Sequence, residues 1–96
     1  MYTQTVMKKQ QKKIQMQTAY VMIGTERGSE AQILKRVLKI DGVEEAHIVY
    51  GIYDIIAKVQ AKSMAGLTET ISRRIRQLKK VRLTLTLVVY PHPPNI

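Results

Sequence analysis

Asp54, Thr84 and Thr86 are the residues of this chain whose types suit a small charged ligand. A carboxylate can receive an ammonium group, and hydroxyls helped by backbone N–H groups at a glycine turn can donate to a carboxylate. Together they match the two ends of a zwitterion. Asp54 follows the pair Gly51-Ile52 closely, inside the run Val49-Tyr50-Gly51-Ile52-Tyr53-Asp54-Ile55-Ile56-Ala57-Lys58-Val59. A structural reading stands beside this one, in which Asp54 flanks a turn and the threonines are ordinary β-formers. Arg73, Arg74, Arg76, Lys79, Lys80 and Arg82 form a basic cluster that either grips phosphates or is the solvated face of a helix. No aromatic residue sits among them to stack on a base. His47 and His92, the two histidines, lack metal-ligand spacing, so no metal or other cofactor is expected. No Ser-His-Asp set, phosphate-cradling glycine loop or paired carboxylates can be assembled. The expectation is a protein without catalytic residues.

Composition narrows the class. The 96 residues suit one domain, and an apolar share of 45% supports a modest core that self-association would enlarge. The absence of cysteine excludes disulfides and thiolate chemistry. No apolar run approaches the ~20 residues of a membrane span, and the N-terminus has no secretory apolar stretch, so a soluble cytoplasmic protein is expected. The net charge of +9 points first to an anionic partner. Residues 1–17 carry +4 of it on Lys8, Lys9, Lys12 and Lys13, which leaves +5 on the rest. They read as a basic flexible tail, residues 18–90 as the domain, and 91–96, with Pro91, Pro93 and Pro94, as a second tail.

Within the domain, Thr18–Thr25 reads as a strand, and Ser29 with Gln32 fits a capping box that opens a helix lined by Ile33, Leu34, Val37 and Leu38. Val43–Tyr50 and Tyr53–Ala61 read as a hairpin joined by the two-residue turn Gly51-Ile52. Ser63 caps a second helix with Met64, Leu67, Ile71, Ile75 and Leu78 on one face, and Val81–Tyr90 is the last strand. The order is βαββαβ. With right-handed crossovers it gives an α+β ferredoxin-like sandwich: a four-stranded antiparallel sheet with both helices on one face.

Alternation then sorts the strands. Ile48, Tyr50, Tyr53 and Ile55 fall to the covered side, along with Val81, Leu83, Leu85 and Leu87. The open side receives His47, Val49, Asp54, Ile56 and Lys58, together with Thr84, Thr86 and Val88. That open side is too apolar for solvent, and it predicts a dimer packed sheet to sheet through His47, Val49, Ile56, Lys58 and Val88.

The Gly-x-Tyr-Asp hairpin, followed by the closing run Thr84-Leu85-Thr86-Leu87-Val88-Val89, resembles the effector-binding (RAM) half of the Lrp/AsnC transcription regulators over about Ala19 to Tyr90. The resemblance implies the same sandwich, dimers joined through their sheets, rings of dimers, and small amino-acid effectors bound between dimers. By position it implies effector contacts at Gly51, Tyr53, Asp54, Thr84 and Thr86. Regulators of this family carry a helix-turn-helix domain before this one, and residues 1–17 cannot form three packed helices. A stand-alone effector domain is therefore expected, one that acts by assembling with itself or with a full-length regulator, with direct DNA binding disfavoured. The alternative is a basic nucleic-acid-binding accessory protein whose phosphate contacts are Arg73, Arg74, Arg76, Lys79 and Lys80.

Overall fold

The computed structural model describes residues 16–90. Its elements are β1 (Gln17–Thr25), α1 (Glu30–Leu38), β2 (Val43–Ile48), β3 (Ile55–Ala61), α2 (Met64–Glu69) and β4 (Val81–Val88). The strands lie in the order β2-β3-β1-β4, and every neighbouring pair is antiparallel. This is the expected ferredoxin-like α+β sandwich. The expected N-terminal tail falls outside the described residues, except that Gln17 already pairs with Ala61 as the first residue of β1. The expected C-terminal tail also lies outside them.

The core forms where the two helices meet one side of the sheet. Ala19, Val21 and Ile23 of β1 and Ile55, Ala57 and Val59 of β3 are buried there under Ile33 and Val37 of α1 and Leu67 of α2. These strand residues sit at every second position and the helix residues at spacings near four, so each element buries one face. Ser63 caps α2 by accepting from the Gly66 N–H at 3.0 Å. Ser29 does not form the expected box: its side chain makes no capping bond, and it is buried. The turn there is held instead by the Ser29 N–H donating to the Glu26 carbonyl at 3.0 Å.

Three further expectations are corrected. The hairpin loop is longer than two residues. The Val49 N–H bonds the Asp54 carbonyl at 2.8 Å, which leaves Tyr50-Gly51-Ile52-Tyr53 as the connection. Tyr50 is fully exposed, Ile48 is exposed and Tyr53 is half-buried, so the two tyrosines are loop residues rather than core. The second helix does not continue as one α-helix. It widens over Thr70–Ile75 into π-helical turns, with the Arg76 N–H reaching back five residues to the Ile71 carbonyl at 3.0 Å. The core residues Leu67, Ile71 and Ile75 recur every four positions, and a wider turn keeps such residues aligned where an α-helix of 3.6 residues per turn lets them drift.

The third correction decides where the chemistry lies. Thr84, Thr86 and Val88 pair with Ile23, Val21 and Ala19, so they share the side that the helices cover. Leu83, Leu85 and Leu87 pair with Gly24, Met22 and Tyr20 and occupy the open side. The reversal comes from a bulge. Gly24 opposes Leu83 but Thr25 opposes Val81, so Arg82 is skipped and the alternation changes sign along β4. Gly24 permits this arrangement, since a Cβ there would lie 3.0 Å from Leu83 Cγ.

Candidate ligand site

The residues expected to meet one ligand fall at two separate places in a single subunit. At the end of the hairpin, Asp54 turns its carboxylate onto the last residue of β1. Oδ2 accepts from the Thr25 N–H at 2.7 Å and lies 3.3 Å from the Thr25 hydroxyl. The β1–β3 ladder ends at the pair Ile23–Ile55, which leaves the Thr25 N–H beyond it, and the carboxylate satisfies that donor. Oδ1 accepts nothing from the described residues. Gly51, at φ 149°, carries the exposed tip beside Ile52, and nothing lies within 4 Å of where its side chain would be.

The threonines of β4 lie one strand beyond. Asp54 donates its N–H to the Ile23 carbonyl at 2.9 Å, and Ile23 pairs on its other side with Thr84, so β1 runs between the carboxylate and the hydroxyls. Two strand spacings amount to about 10 Å. Thr84 Oγ1 accepts from Arg76 Nε at 3.0 Å. Thr86 Oγ1 is buried and finds no hydrogen-bond partner among the described residues. It borders an open-sided cavity of about 190 Å³ between the second helix and β4, lined by the buried Leu67 and Ile71, the exposed Met64 and Val88, and Thr68, Ser72 and Arg76. The sequence marked Thr84 and Thr86 for a ligand, but on the wrong side of the sheet. The cavity itself was not foreseen, because it depends on a helix standing over an edge strand.

The open side of the sheet is a second candidate surface. Across it run the rows Glu45–Lys58–Tyr20–Leu87 and His47–Ile56–Met22–Leu85. Leu83, Leu85 and Leu87 are 47%, 43% and 52% exposed, which is a large apolar patch for side chains held in a regular strand. His47, Ile56 and Lys58 take their expected places on this side. Val88 does not, for the reason given by the bulge. At the polar margin His47 Nε2 lies 3.0 Å from Glu45 Oε1. This hydrogen bond, with the charges of His47 and Lys58 behind it, holds the Glu45 carboxyl below its ordinary range. Arg73, Arg74, Lys79 and Lys80 are exposed, and none of them joins an ion pair among the described residues. No cluster of metal-ligating residues occurs among the described residues, and none of their helices is long and apolar enough to cross a membrane.

Residues 18–93 match the model of the Lrp/AsnC ligand binding domain. The chain belongs to the Lrp/AsnC family. This Lrp/AsnC domain is similar to an uncharacterized HTH-type transcriptional regulator of Pyrococcus furiosus, with 33% identity over 76 residues, which is 76% of this chain and 51% of that one. It is also 44% identical over 57 residues to a homocitrate synthase of Saccharolobus islandicus, covering 59% of this chain and 12% of the enzyme. Among solved structures it resembles FFRP-DM1, with a TM-score of 0.74 at 31% identity, covering 77% of this chain and 99% of that one. The chain thus spans about half the length of the HTH-type relatives it matches. What it shares with them is the ligand-binding, regulatory part of Lrp/AsnC transcription regulators, which is not a catalytic domain.

Proposed function

We propose that this Lrp/AsnC domain senses a small amino acid at a site completed by two subunits, and that it modulates transcription by assembling with itself or with longer Lrp/AsnC regulators. The observation that carries this reading is a division of labour within one subunit. Asp54 keeps an unused oxygen at the hairpin, Thr86 keeps an unused hydroxyl in the cavity, and β1 separates them. A ligand with both an ammonium and a carboxylate joins them where the hairpin loop of one subunit meets the cavity of another. Gly51 and Tyr53 then shape the loop that closes over it.

Assembly follows from the open side. Tyr20, Met22, Ile56, Leu83, Leu85 and Leu87 give two copies an apolar face to bury, with His47 and Lys58 at its margin. Dimers made in this way leave their hairpins and cavities free to meet those of other dimers. The similarity to homocitrate synthase supports sensing as the portable property, because a DNA-reading regulator and an enzyme that carry the same domain share neither chemistry. Isothermal calorimetry with the twenty amino acids tests the reading. One or a few small amino acids bind, and Asp54→Asn abolishes the heat; binding by none would overturn it.

A further inference from the structure

We propose that the cavity between the second helix and β4 is a carboxylate pocket for aliphatic ligands, with Arg76 as the group that receives the charge. This rests on the two-subunit reading above and says which end of the ligand enters which half. Arg76 lines the cavity, is exposed to solvent, and spends only its Nε–H on Thr84, at 3.0 Å. Among the described residues it forms no ion pair, so the outer edge of its guanidinium is available to a carboxylate in the paired geometry that arginine favours. Thr84 fixes the plane of that edge. Thr86 supplies a buried hydroxyl with no partner, which costs free energy until a ligand oxygen or N–H meets it. Beyond these polar groups the walls are Met64, Leu67, Ile71 and Val88. Leu67 and Ile71, the buried part of this lining, accept an aliphatic tail, and no second cation among the described residues stands there to receive a second carboxylate.

The π-helical turns place these groups. Ile71 and Arg76 are joined by the five-residue hydrogen bond, which brings an apolar wall and a cation from one turn to the same cavity. The ligand class is therefore a monocarboxylate with a short aliphatic tail, and the ammonium is left for Asp54 of a neighbouring subunit.

Calorimetry with leucine, with 4-methyl-2-oxopentanoate, which keeps the carboxylate and tail but has no ammonium, and with 2-oxoglutarate, which has two carboxylates, tests the proposal. The purified protein binds the branched oxo acid and not the dicarboxylate. Arg76→Gln, which retains a donor for Thr84, weakens the oxo acid by about tenfold or more, and Arg76→Lys recovers part of that loss. Equal binding of the oxo acid by Arg76→Gln and the parent overturns the proposal, as does equally tight binding of 2-oxoglutarate. Leucine binding that depends on Asp54 but not on Arg76 would remove the carboxylate pocket and leave the two-subunit reading in place. Binding of the oxo acid through Arg76 with no response to any amino acid would do the reverse. Failure of every ligand to bind would remove both.

Discussion

Thr86 stands opposite Val21 in the sheet, on the side where Val21 is wholly buried. That pairing carries a hydroxyl under the second helix, where an apolar side chain would otherwise stand. A polar group retained in such a place without a partner is a cost to the fold and an opportunity for a ligand.

Thr86→Val should therefore stabilise the protein in the absence of ligand. An unpaired buried hydroxyl costs about 1–3 kcal/mol, and valine has nearly the same shape. Even the lower figure raises the melting temperature by several degrees in a domain of this size, roughly 4–8 °C per kcal/mol. Thermal unfolding at fixed protein concentration checks this, and ligand-induced stabilisation should shrink in the same variant.

Replacing Leu85 by aspartate places a charge in the middle of the open side, beside Met22. The expected result is loss of the dimer in sedimentation velocity. Val88→Asp, on the helix side of the same strand and itself exposed, should leave the dimer in place. A dimer unchanged by Leu85→Asp would show that the open side is not the interface.

Gly42 meets two constraints at once. Its φ of 98° is one that side chains resist, and a Cβ would approach the Gln60 carbonyl to 3.1 Å, the residue whose N–H bonds the Gly42 carbonyl at 2.7 Å. Gly42→Ala should destabilise the fold by about 1–3 kcal/mol, measured as a shift in the urea midpoint with an unchanged slope.

The Glu45 carboxyl should titrate below the ordinary glutamate range in an NMR pH series, and His47→Ala should raise it, since the hydrogen bond and the charge of His47 are both lost. The sign is that of a depressed acid: the favourable contact is complete above the ordinary glutamate range and is lost as pH falls through the lowered value. Both groups are exposed, so the effect is local.

The fold was legible because its periodicities are clean. Alternation in β1 and β3 and the four-residue spacing of Leu67, Ile71 and Ile75 each mark one buried face. The geometry of the candidate site was legible only in part. Asp54 and the two threonines were identified from their chemistry, but alternation reports a period and not a direction, and the bulge beside Gly24 reversed the faces of β4. Gly24, an isolated glycine within a strand, is the signal from which the bulge could have been read. The open side also misled, because an interface wants leucines as much as a core does. Arg76 was read from the sequence only as a phosphate contact, and its cavity was hidden for another reason: the π-helical turns that aim it depend on packing against the sheet rather than on local preference.

The central claim is that one ligand is held by Asp54 of one subunit and the Thr86 cavity of another. Mixing two variants tests it most directly. Asp54→Asn and Thr86→Val proteins, each deficient in amino-acid binding alone, should recover binding at a fraction of sites when their subunits are exchanged, because some contacts then unite an intact hairpin with an intact cavity. Calorimetry on the exchanged mixture measures this. Binding that returns on mixing is the predicted result, and a mixture as deficient as its components would contradict the account.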